Sequence, residues 1–190
     1  FNHYCVSLND KAALKEIIYS KVFDYVINCS GYIDHSGFGD GGEEVFNTHY
    51  NGLSNLIAVL NKDKIKNLIN IGSSDEYGSC TAPQREDLRE QPISPYSLAK
   101  VFSSHLLRLL NISEGLPSTT VRLFLVYGPH QDDGRFIPSI IKGCLNDEDF
   151  PCSKGNQLRD FCYIDDVVDG IFSILNQSSA EGEVLNIASG

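Results

Sequence analysis

Two hydrophobic rhythms alternate along the 190 residues. Short buried or period-2 runs are followed by stretches whose apolar residues return every three or four positions, the pattern of a mostly parallel sheet covered by helices. His3 to Leu8 predicts a strand, and Asn9-Asp10 an N-cap for a helix over Lys11 to Tyr19 with Ala13, Leu14, Ile17 and Ile18 on one face. Val22 to Cys29 reads as the next strand. A Gly-rich turn, Gly37 to Gly42, then leads to a helix over Glu43 to Asn61 carrying Val45, Leu53, Leu56, Ile57 and Leu60. Ile65 to Ile71 predicts a strand, Gly72 to Pro95 a long polar loop, and Tyr96 to Ser113 a helix with Leu106, Leu107, Leu109 and Leu110, stopped by Gly115 and Pro117. Thr119 to Tyr127 completes this rhythm as a single strand.

Beyond Gly128 the pattern loosens into an Asp-, Gly- and Pro-rich loop, a helix near Ile137 to Leu145 and a short strand at Phe161 to Ile164. A helix near Asp165 to Leu175 and a strand at Val184 to Ile187 follow. The division expected is a sheet domain over residues 1–128 and a smaller cap, interleaved with the last sheet elements, over 129–190.

Composition narrows the function classes. Lys and Arg number 15 against 25 Asp and Glu, a net charge of −10 that disfavours nucleic acid and anionic membrane as partners. No apolar run approaches the roughly 20 residues of a membrane span, and no signal peptide is evident, so the expected location is cytoplasmic. The six cysteines form no CxxC pair and have no histidine at ligand spacing, which predicts unpaired thiols and no metal site. With no Met in the chain and a last strand barely finished at Gly190, the sequence reads as the middle of a longer protein.

Open α/β sheets bind ligands at the carboxyl ends of their strands, and two strand ends here carry chemistry. One is Gly72-Ser73-Ser74-Asp75-Glu76-Tyr77-Gly78; the other is the helix start Tyr96-Ser97-Leu98-Ala99-Lys100. Residues i and i+4 share a helix face, so Lys100 can lie near the Tyr96 phenol and favour its phenolate form, as a tyrosine base requires. That spacing alone is weak. Plainer roles stay open: Ser73 and Ser74 as loop caps, Asp75 as a solvated turn residue, and Arg159 paired with Asp160, Asp165 or Asp166.

Six ordered blocks carry a resemblance: Ile71 to Gly78, Ser94 to Lys100, Arg122 to Pro129, Arg135 to Pro138, Arg159 to Asp166 and Asn186 to Gly190. Together the chain resembles the extended short-chain dehydrogenases/reductases, in their NAD-dependent nucleotide-sugar epimerase/dehydratase group. The resemblance implies a Rossmann-like doubly wound parallel sheet, here lacking its first two strands, with a C-terminal substrate-binding cap. It implies NAD (or NADP) as cofactor and a nucleotide-diphosphate sugar as substrate, oxidised transiently at C4. It casts Tyr96 as base and Lys100 as its partner and the holder of the nicotinamide ribose, with Ser30 also on the cofactor. Ser73 would hydrogen-bond the reacting oxygen and Asp75 would do acid/base work. Ser74, Arg135 and Arg159 would bind substrate, Arg159 as the diphosphate grip. A homodimer through the helices at 43–61 and 96–113 is also expected.

Departures from that pattern motivate an alternative. No Gly-rich turn of the GxxGxxG or GxGxxG kind precedes a helix, and Phe1 corresponds to the entry of the third Rossmann strand, so these residues alone should bind NAD poorly. Ser7 replaces a usual Asp, Asn28-Cys29-Ser30-Gly31 a usual His-Leu-Ala-Ala, His49 an Asn, and Leu125 an Asn that often touches substrate. The alternative is a cofactor-deficient relative that holds a nucleotide sugar or a protein without turnover.

Overall fold

The structure, a computed structural model, describes residues 2–19 and 21–190, so the expected strand entry at Phe1 lies outside the described residues. Asp10 caps α1 (Lys11–Ile18) by accepting from the Ala13 amide at 3.0 Å. The chain then runs through β1 (Tyr25–Asn28), α2 (Gly42–Val59), β2 (Asn67–Ser73), α3 (Pro95–Glu114) and β3 (Ser118–Leu123). After β4 (Leu125–Tyr127) come α4 (Phe136–Asn146), β5 (Phe161–Tyr163), α5 (Ile164–Leu175) and β6 (Val184–Ile187).

The main sheet has the order β1-β2-β3-β6, every pair parallel, with β4 and β5 forming a small parallel sheet of their own. Parallel strands need crossovers, and the helices supply them, which buries both faces of the central strands. Successive residues of β2 show this division. Leu68 faces a cluster with Leu14, Ile18, Leu53, Ile57 and Leu107 from α1, α2 and α3, while Ile69 joins Val121, Val167, Ile171 and Leu175 on the α5 side. The expected doubly wound α/β architecture is therefore present.

Three sequence expectations are corrected. Residues 3–8 are not a strand. Val6 and Leu8 pack against the first core cluster, and the Asp10 amide donates to the Ser7 carbonyl at 3.0 Å to turn the chain into α1. The apolar alternation serves burial there, whereas a strand also needs a paired neighbour.

The run from Thr119 to Tyr127 is two strands rather than one. At Phe124 the amide still bonds the Ile187 carbonyl beside β6, at 3.4 Å, but the Leu125 amide bonds Asp160 beside β5 at 3.2 Å. Hydrophobic periodicity cannot reveal such a change of partner. The third correction is the polar loop after β2, which begins later than expected because the strand continues through Ser73 before a 3₁₀ turn at Ser74–Glu76.

Among the described residues no helix is long and apolar enough to cross a membrane. Nor does any group of three or more His, Cys, Asp or Glu come together as a metal site among them.

Candidate active site

β2 delivers Ser73 to its carboxyl end, where the side chain caps the 3₁₀ turn by accepting from the Asp75 amide at 3.1 Å. Glu76 answers from within the turn, its Oε1 accepting from the Ser73 amide at 3.0 Å. Its other oxygen, Oε2, takes Ser104 Oγ at 2.8 Å and Arg122 Nε at 2.9 Å. This reciprocal capping box fixes the turn, and Asp75 is left pointing away from the core, its side chain 42% exposed. The capping role considered for Ser73 is thus real and coexists with a position lining a cleft.

Ser94 sets the start of α3 in the same way. Its Oγ accepts from the Ser97 amide at 3.1 Å, Ser97 Oγ accepts from the Ser94 amide at 2.9 Å, and Pro95 occupies the first turn, where a missing N–H costs nothing. Tyr96 and Lys100 then fall one turn apart on the buried side of α3. Lys100 donates to the Ile71 carbonyl at 2.7 Å, and its ammonium lies 5.9 Å from the centre of the Tyr96 ring. Burial pushes the Lys100 amine down to about 8, against the opposing pull of Glu76 and Cys29.

The expected effect of Lys100 on Tyr96 is corrected. The Tyr96 phenol is raised above its ordinary value because burial outweighs the lowering by Ser73 and Arg135, and Asp75 and Glu76 push it up further. The Lys100 ammonium beside the ring is tied to Ile71 and does not reverse this.

Two imidazoles flank Tyr96. His49 meets the ring at 5.1 Å and 75°, and His35 at 5.6 Å and 88°, both edge-to-face geometries. His49 is buried, its Nε2 donating to the Tyr32 carbonyl at 2.8 Å, and burial with Lys100 nearby lowers its pKa to about 4 despite that bond. It is therefore neutral near pH 7. His35 stands half in solvent, its Nε2 3.5 Å from Asp75 Oδ2 and its Nδ1 3.5 Å from Ser94 Oγ.

Two clefts open on this cluster and share a wall of Phe124, Leu125 and Phe161. The smaller, about 730 Å³, is lined by Ser30, Gly31, Ser73, Tyr96, Lys100 and Arg135. The larger, about 900 Å³, is lined by His35, Ser74, Asp75, Ser94 and Arg159. Both volumes are of ligand size. Arg159 forms no salt bridge with Asp160, Asp165 or Asp166; its Nη1 donates to the Leu158 carbonyl at 2.9 Å, while Asp160 accepts the Ser189 and Gly190 amides. Every residue assigned from sequence thus lines one of the two clefts, with Arg135 and Arg159 on different sides.

Sequence reasoning missed His35, which nothing in its local pattern distinguishes from a loop histidine. It also passed over Glu76 as a partner for Arg122, although an acidic residue in the turn that directly ends an apolar strand was a signal that a buried cation stood nearby.

The family profile described as "NAD dependent epimerase/dehydratase family" matches residues 2–188. An uncharacterized UDP-glucose epimerase of Bacillus subtilis is 31% identical over 136 residues, 71% of this chain and 43% of that protein. A UDP-N-acetyl-alpha-D-glucosaminuronate decarboxylase of Bacillus cytotoxicus is 28% identical over 97% of this chain and 59% of its own length. The chain thus spans about half the length of these curated relatives. Among solved structures, a UDP-N-acetylglucosamine 4-epimerase from Methanobrevibacter ruminantium, in complex with UDP-N-acetylmuramic acid, superposes with a TM-score of 0.85 at 28% identity, covering 97% of this chain and 60% of that one.

Proposed function

The chain belongs to the NAD dependent epimerase/dehydratase family, and we propose that it carries the catalytic half of an enzyme that oxidises a nucleotide-diphosphate sugar at C4 to permit epimerisation or chemistry at C5 or C6. The observation that carries this reading is the burial of Tyr96 and Lys100 beside Ser73 at the carboxyl end of β2, where the two clefts meet.

The smaller cleft suits the nicotinamide and ribose end of NAD. Lys100, Tyr96 and Ser30 offer an ammonium and two hydroxyls to ribose oxygens, and Gly31, at φ +103°, lines the same cleft with the His49 ring where a side chain would stand. The Gly-rich turn that would hold a pyrophosphate is not among these 190 residues. When bound, NAD supplies the hydride acceptor.

The remaining roles belong to this chain's own side chains. Ser73 holds the substrate hydroxyl and Tyr96, in its phenolate form, takes its proton; the phenol that burial raises would be lowered by a positively charged nicotinamide in the smaller cleft. Lys100, with a value near 8, can gain or lose a proton near neutrality and so supports the transfer in either direction. Arg159, with no carboxylate on it, is placed to grip a diphosphate in the larger cleft, and Ser74 lies beside it along the same wall. Arg135 lines the smaller cleft with Ser73 and Tyr96, where the reacting end of the sugar would meet the nicotinamide. Asp75, turned into the larger one, serves as acid/base next to the oxidised carbon.

A homodimer is part of the reading. Phe46, Tyr50 and Phe102 form an aromatic cluster across α2 and α3, with Phe102, Leu109 and Ile112 exposed.

The test is titration of the native enzyme with NAD, followed by UDP-glucose, UDP-N-acetylglucosamine and dTDP-glucose while NADH absorbance is read. Micromolar NAD binding and transient NADH support the reading. No NAD binding moves the protein to the binding-only alternative.

A further inference from the structure

We propose that His35 is the proton relay for Asp75: the pair, rather than the carboxylate alone, exchanges protons between a bound sugar and solvent. This rests on the reading of Asp75 as the acid/base of the larger cleft.

Three observations converge on His35. Its Nε2 faces Asp75 Oδ2 at 3.5 Å, the long end of hydrogen-bond range at which catalytic pairs stand when no substrate is bound. Its Nδ1 faces Ser94 Oγ at 3.5 Å, so the second nitrogen also has a proton-exchanging neighbour. The Tyr96 ring lies against the imidazole at 5.6 Å and 88°, an edge-to-face contact that packs one side of the histidine. Titratable and charged neighbours come from each side: Asp75 from the turn after β2, Tyr96 from α3, and Asp34 on its own segment, whose carboxylate is occupied with the Ser36 amide at 2.8 Å.

Exposure explains why a relay is needed. The Asp75 side chain is 42% exposed in the open cleft, and a nucleotide sugar filling that cleft covers it. His35 lines the same cleft but is 57% exposed, so more of its surface is open to water. Imidazole suits the task because one nitrogen accepts while the other releases.

Once C4 is a ketone, the C5–H bond breaks, its electron pair passes into the enolate, and the proton goes to Asp75. Asp75 hands it to His35 Nε2 as Nδ1 gives up its own proton to water, directly or through Ser94 Oγ, which releases its hydroxyl proton to water as it accepts the new one. Return of a proton to C5 follows the same path backwards, so solvent hydrogen enters the sugar.

The experiment incubates native enzyme, NAD and the three nucleotide sugars in deuterated water, reading NADH by absorbance and C5 deuterium by NMR. Wild type should incorporate label. His35→Ala and His35→Gln should still form NADH yet lose label at C5 by about 10²-fold, the range expected for a positioned proton-transfer group. Added 4-methylimidazole should restore labelling in His35→Ala, which a purely structural role would not allow. Equal labelling in wild type and both variants overturns the relay while leaving Asp75 in place. Wild type that forms NADH without C5 label overturns it together with the Asp75 assignment, and wild type that forms no NADH removes the oxidation reading beneath both.

Discussion

Arg122 and Glu76 meet inside the protein, Nε to Oε2 at 2.9 Å, with neither side chain exposed. Arg122 comes from β3 and Glu76 from the turn that ends β2, so the ion pair ties the turn holding Ser73 and Asp75 to the neighbouring strand. The guanidinium also reaches Glu90 at 2.6 Å and lies over the Tyr77 ring at 4.5 Å. Burial works against its charge, but Glu76, Tyr77 and Glu90 outweigh that cost and hold Arg122 protonated more firmly than usual.

Arg122→Met should therefore destabilise the fold by about 3–5 kcal/mol, because it leaves the Glu76 carboxylate buried without its cation. The double variant Arg122→Met with Glu76→Gln should recover part of the loss. Urea unfolding of the three proteins measures both, and a single variant within 1 kcal/mol of wild type, or so, would contradict the pairing.

Tyr96→Phe should abolish turnover by at least ~10²-fold in kcat while leaving the melting temperature almost unchanged. The hydroxyl is the only group removed, and the ring that packs between His35 and His49 stays. Activity near wild type would remove Tyr96 from the chemistry.

His49 should make stability fall with acid. Its folded pKa of about 4 lies below the ordinary 6.5, so as pH drops the unfolded chain takes up the proton first. The cost is absent above about pH 6.5, grows as pH falls toward 4, and reaches roughly 3 kcal/mol at about 1.4 kcal/mol per unit. His49→Asn should lose less stability than wild type between pH 7 and 4.5, as measured by urea unfolding at the two values. Parallel losses would mean that other groups dominate the window.

Much of this arrangement was legible in the sequence. Helix α3 announced itself through Ser94, Pro95 and the Leu-rich face, and capping chemistry then placed Tyr96 and Lys100 with little freedom. The strands β2 and β6 were legible as apolar runs. What the sequence hid were relationships between distant segments. The turn to β4 depends on whether Ile187 or Asp160 offers the next carbonyl. The Tyr96 pKa depends on how much protein closes over it, which residue spacing does not report, and His35 acquires meaning only from Asp75 and Ser94, forty and fifty-nine residues on.

Gly31 should tolerate no side chain. It sits at φ +103°, and a β-carbon there would run into the His49 ring. Gly31→Ala should cost at least about 1–3 kcal/mol from backbone strain, with the collision added. Combining it with His49→Ala should remove the collision and leave the strain, so a thermodynamic cycle of the four proteins should give a clearly non-additive result. Simple additivity would show that the ring moves aside freely.

The change of strand partner at Phe124 and Leu125 has an evolutionary corollary. Those two residues and Phe161 form the wall common to both clefts, and Leu125 is paired in register with Phe161. A substitution that slides β4 along β5 by one residue exchanges inward and outward side chains on that partition, reshaping both compartments in a single step. On the proposed reading, specificity for the sugar and fit to the cofactor are therefore coupled at this seam, and changes that alter one while sparing the other fall on the outer walls, around Arg159 on one side and Ser30 on the other.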